Sequence, residues 1–202
     1  MIQFTLRLLI TFTCVFSMSW HANASSFFIS SMTLVSTKSL PFAQLDHIEK
    51  VLFNEKETLC MALGLYHEAR GEPTIGQYAV GATILNRVRS LAYPDNVCDV
   101  VFQNEHLRNR CQFSFACDGI SDTPRNKHSF IKMKRLAKVL LTKGIAREAK
   151  FIGHAFEASA NDMTHYHRYD VYPSWSTNLK KLSKLGAHVF FKSTRVTKRY
   201  AY

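Results

Sequence analysis

Acidic residues are scarce in this chain, and so are the features that mark several large functional classes. Its 202 residues carry 15 Asp and Glu against 26 Lys and Arg, a formal net charge of +11. No two cysteines stand in Cys-x-x-Cys spacing, so the common structural zinc sites are not expected. There is no phosphate-binding glycine loop, no His-Glu-x-x-His metallopeptidase helix, no internal repeat and no notable low-complexity block. Past the N-terminal segment, no stretch approaches the roughly 20 apolar residues that a membrane-spanning helix requires.

What is present begins with Arg7, an apolar run from Leu8 to Trp20, and the small-residue triplet Ala22-Asn23-Ala24. That order predicts a secretory signal peptide over residues 1–24. An uncleaved anchor is the alternative, but the run is short and interrupted by Thr11, Thr13 and Ser17. Lipidation at Cys14 is disfavoured because Thr11-Phe12-Thr13 lacks the expected Leu and small residues. The expected product is an exported monomer of the periplasm or cell envelope, with no transmembrane segment after cleavage. Residues 25–52 read as a leader, 53–194 as one domain and 195–202 as a basic tail. With 47% apolar and 12% aromatic residues, the chain can bury a full core.

Signal removal leaves 25 basic and 15 acidic residues, a net charge of +10. The partner is then expected to be anionic, and export favours acidic envelope polymers over nucleic acid. Solubility alone is the competing explanation. Cys60, Cys98, Cys111 and Cys117 remain, an even number that predicts two disulfides with the pairing open.

Leu59, Leu63, Tyr66 and Arg70 recur at helical spacing in a first helix from Glu57 that Gly71 ends. Pro73 opens a second helix with Val80, Gly81, Ile84, Leu85 and Val88 on one face. Residues 92–122 read as a loop and small hairpin, with Phe113 and Phe115 on a short strand. A third helix is expected over Ser129–Thr142, stopped by Gly144, and helix plus loop over Ile145–Met163. Thr164–Arg168 and Ala187–Phe191 read as strands, with a short helix over Trp175–Leu185 between them.

Glu68 lies near the end of the first helix, where packing against the second would desolvate its carboxyl. Desolvation raises a carboxyl pKa, and so does the negative end of the helix dipole. A carboxyl kept protonated can donate a proton to a leaving oxygen, as glycosidic cleavage requires. The competing reading is an ordinary solvated Glu–Arg surface at a helix end. Glu72 is either a second carboxylate or, before Pro73, a cap of the second helix; the intervening Gly71 favours the cap.

Gln112, Ser114, Thr164, His165, Tyr166 and His167 offer amide, hydroxyl and imidazole groups to a glycan, and Tyr166 and Trp175 could stack on sugar faces. For Phe113, Phe115 and Trp175 a core role competes. Asn86 and Arg87 read as structural, a buried cap and a salt bridge. His165 and His167 raise a rival zinc enzyme, with His154 or Asp162 as a third ligand, but the pattern is weak. No cofactor and no metal are expected.

The run Glu68-Ala69-Arg70-Gly71-Glu72-Pro73, then Gly76-Gln77 and Ile84-Leu85-Asn86-Arg87-Val88, resembles the signature of SleB-type, or spore-cortex-lytic, cell-wall hydrolases. Tyr93-Pro94, Val100-Val101-Phe102-Gln103, Cys111-Gln112-Phe113-Ser114-Phe115, Thr164-His165-Tyr166-His167, Pro173-Ser174-Trp175 and Gly186-Ala187-His188-Val189-Phe190 extend the resemblance in order, from Cys60 to Lys192. It departs before Thr164, where Ala158–Met163 replaces a small Gly-Ala lead-in, and between Gly144 and Asn161. The resemblance implies an α+β, lysozyme-like, mainly helical domain with a small hairpin or short sheet. It also implies lytic transglycosylase chemistry on peptidoglycan glycan strands, with Glu68 as the single acid/base. A hydrolytic muramidase using a second carboxylate, Glu72 or an aspartate such as Asp118, and a non-catalytic peptidoglycan-binding module are the alternatives.

Overall fold

The first helix is longer than its sequence spacing predicts. In the computed structural model, which describes residues 42–108 and 110–193, α1 spans Phe42–Ala69 and so begins inside the expected leader. Its buried stripe is also rotated from the expected one. Met61, Ala62, Leu65 and Ala69 are almost wholly enclosed, while Leu59 and Arg70 face solvent. The reason is that α1 packs against three helices, α2 (Thr74–Val88), α3 (Val97–Val101) and α4 (Lys127–Lys143), so its buried arc is wider than one periodic stripe.

Helix α2 is buried on nearly every side, from Gly76 to Arg87. Gly81 permits its close approach to α4, since a Cβ there would overlap Leu140. Helix α4 is amphipathic, with Met133, Leu136, Ala137 and Leu140 inward. Asn126 caps it by accepting from the Ser129 amide at 2.9 Å, and Gly144 ends it at φ 75°. Two short helices follow, α5 (Ile145–Ile152) and α6 (His154–Glu157).

Among the described residues of 92–122 the expected hairpin is absent. That segment holds α3 and a single 3-10 turn at Ser114–Cys117, with Phe113 and Phe115 buried in the core. A disulfide between Cys111 and Cys117 closes this loop too tightly for a strand to find a partner. The second disulfide, Cys60–Cys98, ties α1 to α3. The pairing left open in the sequence is thereby assigned.

Strands β1 (His165–Arg168), β2 (Lys180–Leu185) and β3 (His188–Lys192) form one antiparallel sheet in the order β1-β3-β2. The helix expected over Trp175–Leu185 is instead a 3-10 turn, Ser174–Asn178, followed by β2. A bulge between Lys181 and Lys184 breaks the two-residue alternation of β2, so Leu179, Leu182 and Leu185 fall at a spacing that mimics a helix. The fold is α+β, mainly helical with a small sheet. The signal segment and basic tail lie outside the described residues.

Candidate active site

Glu68 projects from the last turn of α1 into an open pocket of about 420 Å³ whose walls include Ser114, Tyr166, His167, Arg168 and His188. Its Oε2 accepts a hydrogen bond from the Tyr166 hydroxyl at 3.0 Å. Burial raises its pKa, opposed by that hydrogen bond and by the nearby His67 and Arg87. Tyr166 is itself held on β1 against Phe190, with ring centroids 5.5 Å apart, and its phenol is pushed well up by burial and by Glu68. Tyr166 is therefore a partner of the carboxyl through its hydroxyl, and its side chain also lines the pocket.

Arg87 is the residue whose role sequence reasoning missed. It sits on α2 with its guanidinium 5.4 Å from the Tyr93 ring and 5.3 Å from the Phe113 ring. Its Nε donates to the Thr164 carbonyl at 2.8 Å. With the Gln112 amide turned so that its oxygen faces the guanidinium, that oxygen accepts from Nη1 and Nη2 at 3.0 and 3.1 Å. No carboxylate pairs with Arg87 among the described residues, so the expected salt bridge is replaced by neutral acceptors and aromatic faces. Asn86 does join buried backbone, but at the sheet's lead-in, donating to the Ala160 and Met163 carbonyls at 2.8 and 2.9 Å. An Arg on the apolar stretch Ile84–Val88 was the available signal.

Glu72 does not cap α2. Pro73 occupies the N-cap position without a side-chain cap, and the Glu72 carboxylate reaches across to the sheet. There Oε2 accepts from the Ala187 amide at 2.8 Å, and Oε1 lies 3.7 Å from His188 Nδ1. Gly186, at φ 64°, makes this possible, because a Cβ there would overlap the Glu72 carboxylate. The β2–β3 turn is thus braced onto the α1–α2 junction. Burial lowers the pKa of His188, against the pull of Glu72.

A larger opening of about 790 Å³ adjoins on the other side of Tyr166 and is lined by Arg87, Gln112, His165, Trp175 and Ser193. Trp175 borders it, with its ring centroid 5.6 Å from that of His165. The His165 pKa falls to about 4 through burial and the Arg87 charge. The candidates thus divide, with Glu68, Glu72, Ser114 and His167 on one side of Tyr166, and Gln112, His165 and Trp175 on the other. Thr164 is excluded from both by burial. Its hydroxyl accepts from the Ser193 amide at 2.9 Å, a scaffold role.

Among the described residues, no three His, Cys, Asp or Glu side chains converge as a metal site. The suggested third ligands are engaged elsewhere. His154 lies 3.7 Å from Glu157, and Asp162 pairs with Lys192 at 2.9 Å.

Comparison with known proteins adds a family. The chain is 29% identical over 142 residues to a spore cortex-lytic enzyme of Oceanobacillus iheyensis, covering 69% of this chain and 43% of that protein. It is 26% identical over 140 residues to a spore cortex-lytic enzyme of Bacillus cereus, covering 69% and 46%. The chain therefore spans less than half the length of these curated relatives. Among solved structures, the catalytic domain of the germination-specific lytic transglycosylase SleB from Bacillus anthracis is similar at 28% identity and a TM-score of 0.47, over 68% of this chain and 95% of that one. Residues 71–191 match the family model described as Cell Wall Hydrolase, a match that starts just beyond Glu68. Because that match covers more than half of the chain, the protein belongs to the cell wall hydrolase family.

Proposed function

We propose that this protein cleaves the glycan strand of peptidoglycan as a lytic transglycosylase, with Glu68 as its one acid/base. The observation that carries the reading is the half-buried Glu68 carboxyl, opening on a pocket and hydrogen-bonded through Oε2 by Tyr166. Because Tyr166 donates to Oε2, the proton favoured by burial resides on Oε1. From there it passes to the oxygen linking N-acetylmuramic acid to N-acetylglucosamine, and the bond from that oxygen to the muramic acid C1 breaks. The Glu68 carboxylate then takes the proton of the muramic acid 6-hydroxyl as that oxygen bonds to C1. The product is a 1,6-anhydro sugar and Glu68 is protonated again.

Since the substrate supplies the nucleophile, no second carboxylate is needed, unlike the two-carboxylate pattern of most glycosidases. The engagement of Glu72 by Ala187 and His188 supports this reading over a water-using hydrolase. Ser114 and His167 on one side of Tyr166, and Gln112, His165 and Trp175 on the other, would contact the strand. The two disulfides fit action outside the cytoplasm, in the periplasm or envelope. The test is clearing of purified peptidoglycan by wild type and Glu68→Gln. The expected loss is about 10²- to 10⁴-fold with the fold retained, and an equally active variant would end the assignment.

A further inference from the structure

The outer face of the sheet carries a second feature that Glu68 chemistry does not use. Directly paired residues of antiparallel strands point to the same face. Val189 pairs with both His167 and Lys184, and Phe191 pairs with both His165 and Lys181. All six therefore share one face, opposite to that of Tyr166 and Phe190. Lys181 and Lys184 are three residues apart and would face opposite ways in a regular strand; the bulge in β2 brings them together.

These lysines border an open pocket of about 470 Å³ with Tyr169, Tyr172, Val189 and Phe191. Lys184 Nζ lies 4.1 Å from the centroid of the Tyr169 ring, which holds the ammonium at the rim. No Asp or Glu lines the pocket, and among the described residues neither lysine has a carboxylate within ion-pair range. Tyr172, 86% exposed, adds an apolar flank. His167 lines both this pocket and that of Glu68 and is the residue the two share.

We infer that this pocket receives the carboxylate-bearing peptide stem of the strand being cleaved. The inference rests on the proposed peptidoglycan substrate. A stem attached to the muramic acid extends away from the glycan and presents free carboxylates on short aliphatic side chains. Two lysines on one face, bordering an aromatic and aliphatic pocket free of carboxylates, match that chemistry, and His167 is the wall this pocket shares with that of Glu68. The bulge in β2 is the device that aims both lysines.

The test uses the double variant Lys181→Gln/Lys184→Gln on two substrates, stem-bearing peptidoglycan and the same glycan stripped of stems by an amidase. The KM for stem-bearing strands should rise about tenfold, with kcat unchanged and the stripped glycan cut as by wild type. Lys181→Arg/Lys184→Arg should keep the wild-type KM. An unchanged KM on stem-bearing strands, or an equal change on both substrates, would overturn the inference. Calorimetry of free stem peptide with wild type and the double glutamine variant separates this outcome from a failure of the Glu68 reading, because it needs no cleavage. Weakening by about tenfold supports the site. Undiminished binding, or no binding to wild type, overturns it whatever the enzyme cleaves.

Discussion

Glu68 and Tyr166 share one hydrogen bond, and that bond pulls against the burial that raises the Glu68 pKa. Removing the phenol hydroxyl in Tyr166→Phe should raise the Glu68 pKa further. Since the first step needs protonated Glu68, the alkaline limb of the kcat/KM profile should move to higher pH in this variant; an unmoved limb would detach Tyr166 from the titration. The same burial has a stability consequence. A carboxyl whose folded pKa is raised contributes stability that is fully present below its unfolded pKa and is lost as pH rises through the folded value. Glu68→Gln should thus melt higher than wild type at pH 8 and converge with it near pH 4, by about 2–4 °C for each kcal/mol relieved. A lower melting temperature at pH 8 would mean that the ionised carboxylate is stabilised in the fold. At this scale, the position of Glu68 near the end of the first helix was legible in the sequence. Arg87 was not, because its neutral acceptors, Gln112 and the Thr164 carbonyl, lie far along the chain.

Among the elements, the brace from the α1–α2 junction to the β2–β3 turn separates scaffold from catalyst. Glu72→Gln keeps an acceptor for the Ala187 amide and should lower activity by less than about tenfold, in contrast to the loss of about 10²-fold or more expected of a catalytic carboxylate. Gly186→Ala should destabilise the fold by about 1–3 kcal/mol, since it combines a positive φ with overlap of the Glu72 carboxylate. Urea melts check the latter, and initial rates on peptidoglycan the former. Helix α4 was readable because its period and its stop signal agree, whereas α2 was placed by Pro73 although it is buried on nearly every side. The failures lie where a nonlocal constraint replaces a local one. The Cys111–Cys117 bridge turned an expected strand into a 3-10 turn, and the bulge turned an expected helix into β2. The brace itself was invisible, because it links residues 72 and 187.

Across the whole molecule, the two disulfides should act differently. Cys60–Cys98 closes a separation of 38 residues between α1 and α3, and its loss should cost about 4 kcal/mol of stability by loop entropy. Cys111–Cys117 closes a separation of 6 and should cost about 2 kcal/mol. The short loop carries Gln112 and Ser114 into the two openings beside Tyr166, so a Cys111→Ser/Cys117→Ser variant should lose activity out of proportion to stability. Denaturation midpoints and rates on the two cysteine pairs check this contrast. The central claim, one acid/base and a nucleophile supplied by the substrate, is tested most directly by mass spectrometry of glycan fragments released in ¹⁸O-labelled water. A nucleophile supplied by the substrate gives 1,6-anhydro ends that carry no label and are lighter by one water than reducing ends. Labelled reducing ends would contradict it, and would make water the nucleophile and a second carboxylate part of the machinery.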